Sequence, residues 1–204
     1  MADEVIVETN WILDVTLHED AASETLFEYA VAEHLPLLLQ SFCIAEAIKA
    51  VETKRSGWRS LGDRLGETRA DIVRSRTLSP LAAEPLERAQ AALVQTSDMA
   101  VKEFWEILEK IVRMVRPIAV SPQNIQLTAQ LQDMFNLQLA DSAVLATVTE
   151  ARRTGLCSKF MSRDAAFGSP GPLSWLEREG IEYLRSAEPI VGPIRQRLLR
   201  EDQP

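Results

Sequence analysis

Four carboxylates fall where an α/β chain places its chemistry. Glu8 closes the apolar, β-branched run Val5-Ile6-Val7, and Asp164 follows a second apolar run from Cys157 to Ser162. Glu46 and Asp141 come early on stretches of helical periodicity, each following or bordering a strand-like run. The carboxyl ends of parallel strands share one edge of the sheet, and ligands bind in the crevice there. Acids gathered at such an edge raise one another's pKa, and a divalent cation removes that cost. A donor set of carboxylate oxygens suits Mg²⁺ or Mn²⁺ better than Zn²⁺. Bound there, such an ion lowers the pKa of a water and stabilises charge on a phosphoryl oxygen.

The elements that must carry these acids are legible as an alternation of strands and helices. The first strand ends at Glu8, and helical turns follow from Trp11 to Leu17. Ser23 is placed to cap a second helix, Leu37-Leu38-Leu39 reads as a strand, and Ser41 as the cap of a helix bearing Ile44, Ala47, Ile48 and Val51. Pro117 to Ser121 reads as the next strand, with Pro122 suited to a first helical position. A strongly apolar helix starts near Leu139, and Gly155 ends it. Leu173 to Glu179 then reads as a short helix and Ile181 to Leu184 as the last strand. Between about 53 and 116 no strand is evident. Gly57, Gly62 and Gly66 weaken its first part, and a long helical pattern runs from Ala89 to Val115. The expected architecture is a three-layer α/β/α fold with a central, mostly parallel sheet. One domain spans residues 1–204, with a helical insertion at about 53–116 and a short basic tail from about 187.

Bulk properties narrow the function. With 204 residues, 46% apolar and 25% charged, the chain is of ordinary globular composition. A net charge of -8 argues against non-specific coating of nucleic acid, but leaves a local site on nucleic acid open. Cys43 and Cys157 have no metal-type spacing and read as free thiols of a reducing compartment. No signal peptide or membrane span is evident, so a cytoplasmic protein with no membrane partner is expected.

Taken in order, Val5-Ile6-Val7-Glu8-Thr9-Asn10, Ile44-Ala45-Glu46, Leu139-Ala140-Asp141-Ser142-Ala143 and Phe160-Met161-Ser162-Arg163-Asp164-Ala165-Ala166-Phe167 resemble the acidic motifs of PIN domains. These are metal-dependent ribonucleases, many of them toxins of bacterial VapC-type toxin–antitoxin pairs. The resemblance covers roughly 4–51 and 117–184, leaving the helical block outside it. It implies that Glu8, Glu46, Asp141 and Asp164 are catalytic, metal-ligating acids, and that Thr9, Asn10 and Ser162 line the pocket. It further implies Mg²⁺ or Mn²⁺ as cofactor and RNA as substrate, with an antitoxin protein and a second copy of the chain as candidate partners. Most PIN domains carry Asp where this chain has Glu8, a departure that bears on catalysis because Mg²⁺ demands near-ideal octahedral geometry.

Other readings stand beside this one. Glu8 can serve as a strand-end acid facing a helix N-terminus, Glu46 and Asp141 as first-turn dipole partners, and Asp164 as a turn residue. A catalytically weak or inactive PIN-like scaffold, binding RNA or a protein partner through the insertion, is the alternative function. A phosphatase or receiver domain fits poorly, since Glu8 and Asn10 occupy the places where a dehalogenase-type phosphatase needs two aspartates. His18 and His34 have no partner at ligand spacing. Lys54, Arg55 and Arg59 head a run of cations that includes Lys49, Arg64, Arg69, Arg74 and Arg76. That run could grip a phosphate backbone, with Trp58 stacking a base, or could be a solvated helix face.

Overall fold

The computed structural model describes residues 4–32, 35–75 and 80–201. Five strands, β1 (Val5–Val7), β2 (Leu37–Gln40), β3 (Arg116–Ile118), β4 (Lys159–Met161) and β5 (Glu182–Leu184), form one sheet in the order β3-β2-β1-β4-β5. Every neighbouring pair is parallel. The helices are α1 (Thr9–Thr16), α2 (Ala21–Val31), α3 (Ser41–Arg74), α4 (Ala83–Met114), α5 (Pro122–Phe135), α6 (Leu139–Arg153), α7 (Pro170–Arg178) and α8 (Glu188–Glu201). The expected α/β class and three-layer architecture are thus found.

Connection handedness explains the layers. The path from β1 through α1 and α2 to β2 moves one way across the sheet, and the path from β3 through α5 and α6 to β4 moves the other way. Right-handed crossovers travelling in opposite directions place their helices on opposite faces. The observed packing agrees: α2 contacts α1 and α8, while α5 packs on α6. The α7 indole of Trp175 donates to Thr149 Oγ1 of α6 at 2.9 Å and meets Phe135 of α5 edge to face. Val5, Ile6, Val7, Leu37, Leu38 and Leu39 are all buried, as strands covered on both faces require.

The chain divides into two compact units, Met1–Ala47 with Leu108–Pro204, and Ile48–Ile107. The first holds the sheet. The second is an antiparallel helical hairpin, its two arms tied by ion pairs from Arg69 to Glu87 at 2.9 Å and from Arg55 and Arg59 to Asp98 at 3.6 and 3.7 Å.

Several local expectations are corrected. Helix α3 runs unbroken through Gly57, Gly62 and Gly66, because the facing arm of the hairpin supplies contacts that outweigh roughly 1 kcal/mol of lost propensity per glycine. Asp20, not Ser23, caps α2; its side chain accepts the Ser23 N–H at 2.8 Å. Ser41 is the first residue of α3, directly after Gln40 of β2. β3 stops at Ile118, before Ser121, which caps α5 in a reciprocal capping box with Asn124. The stretch from 187, expected as a short basic tail, is largely the helix α8, with Pro193 inside it and Ala187 and Val191 buried.

Candidate functional site

The strand order reverses between β1 and β4, since β2 and β3 lie to one side of β1, and β4 and β5 to the other. That topological switch point opens a crevice at the carboxyl ends of β1 and β4. Ile6 pairs with Phe160, so two positions further along the two strands stand Glu8 and Ser162. Glu8 also caps α1, its Oε2 accepting the Asn10 N–H at 2.9 Å. The structural role open to Glu8 is therefore real, but it occupies one oxygen only. The residue is 5% exposed, and Oε1 is buried with no hydrogen-bond partner.

That orphaned oxygen sets the electrostatics. Burial pushes the Glu8 carboxyl up to about 7, and the nearby Asp164 adds to the rise. The Asn10 backbone N–H and the Ser162 hydroxyl oppose it without reversing it. Asp141 is raised to about 6, first by burial and then by the charges of Asp164 and Glu46. Asp164 thus acts on both Glu8 and Asp141, and Glu46 on Asp141, so the predicted acids form one electrostatic neighbourhood at the expected edge. They do not form a finished cage: among the described residues no group of three or more His, Cys, Asp or Glu is arranged to hold a metal ion.

Each acid is held by its own local device. Thr9 Oγ1 donates to Glu46 Oε2 at 2.6 Å, joining the start of α1 to the second turn of α3. The Asp164 N–H bonds Ser162 Oγ at 3.0 Å, and Asp164 Oδ1 accepts the Ala166 N–H at 2.7 Å, closing a tight loop after β4. The Tyr183 hydroxyl of β5 donates to the carbonyls of Ser162 and Asp164 at 2.9 and 3.3 Å and pins that loop. Asp141 lies in the first turn of α6, where the helix dipole favours its charge. Cys43, one turn before Glu46, is fully buried; its thiol, pushed up to about 12 chiefly by burial, is inert at this edge.

The cations proposed for nucleic acid fare differently. Arg55 and Arg59 share Asp98 within the hairpin, and Arg69 and Arg74 pair with Glu87 and Asp71. Much of the apparent positive excess is met by acids from the other arm, which no reading of one helix reveals. Lys54 is exposed on the same arm. His18 bonds Glu24 at the surface, and His34 and Arg76 lie outside the described residues.

Several important residues escaped the sequence reading. Gln40, 1% exposed, reaches from the end of β2 to the Val144 carbonyl of α6 at 3.2 Å, tying the helix that carries Asp141 to the sheet. Asp14, also 1% exposed, forms an ion pair with Arg163. Burial raises the Asp14 carboxyl to about 6 despite that partner. The available signal was a lone acid inside an apolar helical turn, Leu13-Asp14-Val15, which is costly without a partner. Arg163, Arg185 and Asn10 line a cleft beside these acids.

Compared with known protein families, curated proteins and solved structures, the chain matches none of them. Among the described residues no helix is long and apolar enough to cross a membrane.

Proposed function

We propose that the chain is a Mg²⁺- or Mn²⁺-dependent endonuclease of the PIN type, hydrolysing RNA phosphodiester bonds with Glu8, Glu46, Asp141 and Asp164 as its metal-holding acids. The observation that carries this reading is Glu8. It is a buried carboxylate at the switch point, with one oxygen that no donor satisfies and a pKa raised by burial and by Asp164. The donor set fits a hard divalent ion in its chemistry, all oxygen and strongly anionic. Such an ion, when bound, supplies a more acidic water and charge neutralisation at phosphoryl oxygens. The remaining work belongs to the chain: Thr9 orients Glu46, the Ser162–Ala166 loop orients Asp164, and Gln40 fixes the helix bearing Asp141. An antitoxin partner and a homodimer belong to the same proposal.

The test is Mn²⁺ calorimetry together with RNA cleavage by the wild type and by Glu46→Gln, Asp141→Asn and Asp164→Asn. Loss of cleavage on the order of 100-fold in each folded variant is expected. No heat of Mn²⁺ binding, with cleavage indifferent to all three changes, would sink the reading.

A second reading is a non-catalytic scaffold, favoured by Glu8 standing where the resemblance has Asp and by the lack of a preformed ligand group among the described residues. Glu8→Asp separates the two. Strong cleavage gained only in that variant means that the natural chain is the scaffold.

A further inference from the structure

Asn10, Arg163 and Arg185 line one solvent-open cleft of about 450 Å³, and the metal reading uses neither arginine. Each lies just beyond the carboxyl end of a different strand: Asn10 in the first turn of α1 after β1, Arg163 in the loop after Met161 of β4, and Arg185 directly after Leu184 of β5. These strands are neighbours in the sheet, so the cleft runs along the edge that carries Glu8 and Asp164.

The two arginines differ in a telling way. Arg163 is anchored by Asp14, which is 1% exposed, with Glu19 further off at 3.9 Å, while 43% of its own side chain stays open to solvent. A guanidinium has five N–H donors in a rigid fork, so an anchor on one side leaves others directed outward. Arg185 is exposed and makes no ion pair with any described residue. It stands beside Tyr183, whose hydroxyl holds the Ser162 and Asp164 carbonyls. Among the described residues, the protein's own acids account for part of Arg163 and for none of Arg185. Two forked cations and a neutral amide, held along an edge, match an oxyanion with several acceptor atoms.

We propose that Asn10, Arg163 and Arg185 form a cleft that seats a backbone phosphate of single-stranded nucleic acid next to the acid corner. The proposal deepens the nuclease reading, on which it rests for the choice of nucleic acid as ligand. Binding itself needs no metal. The acids would act on one phosphodiester while the arginines hold a neighbouring phosphate of the same strand, fixing its direction along the sheet edge.

The experiment is fluorescence anisotropy of a labelled single-stranded RNA oligonucleotide with the full chain in excess EDTA, over a series of salt concentrations. Arg185→Ala is the main variant, since its side chain makes no ion pair with any described residue. Asn10→Ala, the double variant Asp14→Asn with Arg163→Gln, which leaves no buried charge unpaired, and the surface control Arg197→Ala complete the set. Arg185→Ala is expected to weaken binding about tenfold, the scale of one charge-assisted hydrogen bond. It should also flatten the slope of log K against log salt by about 0.7, as for one lost phosphate contact on a single strand. Arg197→Ala should change neither. Equal affinity in wild type and Arg185→Ala overturns the cleft even if cleavage is found. Weakened binding in Arg185→Ala supports it even if no variant cleaves RNA, and then only the nuclease reading falls. Inorganic phosphate that binds the wild type as tightly as the oligonucleotide does would overturn the assignment to a polynucleotide.

Discussion

Glu8 carries two demands on one side chain. Its Oε2 caps α1 through the Asn10 N–H, while Oε1 is left buried and unpartnered. Ionisation therefore costs the folded state more than the unfolded one, and the carboxyl moves from 4.5 to about 7. The sign of the pH dependence follows. Between those two values the native protein holds a proton that the unfolded chain has released, so stability falls as pH rises through that window and levels off above it. The size for Glu8 is about 3 kcal/mol, and Asp141, raised to about 6 by burial and its acidic neighbours, acts in the same direction. Denaturant unfolding of the metal-free protein at pH 5 and pH 8 should show greater stability at pH 5, with Glu8→Gln removing most of the difference. A wild type equally stable at both values would contradict the buried, unsatisfied state of Glu8.

At the scale of elements, α6 is set by a side chain from the sheet. Gln40 donates to the Val144 carbonyl, yet its own Oε1 is buried without a partner. Gln40→Leu removes the hydrogen bond and the unsatisfied oxygen together, so its effect on stability should stay within about 1 kcal/mol. On the proposed nuclease reading, RNA cleavage should fall further than stability does, because the turn carrying Asp141 loses its tether. Cleavage unchanged in that variant would show that Gln40 does not position the acid. In the hairpin, Gly57 has open space where a Cβ would stand, whereas a Cβ at Gly66 would meet the Gln90 amide at 2.9 Å. Gly57→Ala should therefore stabilise the protein by about 0.5–1 kcal/mol in thermal unfolding, and Gly66→Ala should gain less. α8 contributes through buried apolar contact, and Val191→Ala should cost about 2 kcal/mol.

For the whole molecule, the raised carboxyls of Glu8 and Asp141 would couple the proposed metal binding to folding. A cation that binds only the native form stabilises it by mass action, and it competes with the protons on Glu8 and Asp141. Mn²⁺ should raise the unfolding temperature clearly at pH 8 and little at pH 5. An equal shift at both values, or a shift kept by Glu8→Gln with Asp141→Asn, would place the ion elsewhere.

The net charge of -8 is likewise not uniform. Acids come to the corner from strand ends and helix starts, while Arg163 and Arg185 follow the adjoining strands β4 and β5.

The sequence by itself determined the α/β class and the positions of the acids along it. Apolar runs such as Val5-Ile6-Val7 and Leu37-Leu38-Leu39 specify buried parallel strands locally, and whatever follows such a strand reaches the ligand edge. Only the tertiary structure decided which strands adjoin, and hence that Glu8 and Ser162 meet at the reversal of strand order. The same applies to the partners of Asp14 and Gln40, which lie 149 and 104 residues away in the chain. It applies also to the acids that answer Arg55, Arg59 and Arg69 across the hairpin. Periodicity reports how one segment meets water; a hydrogen bond or ion pair between distant segments depends on packing that no single segment encodes.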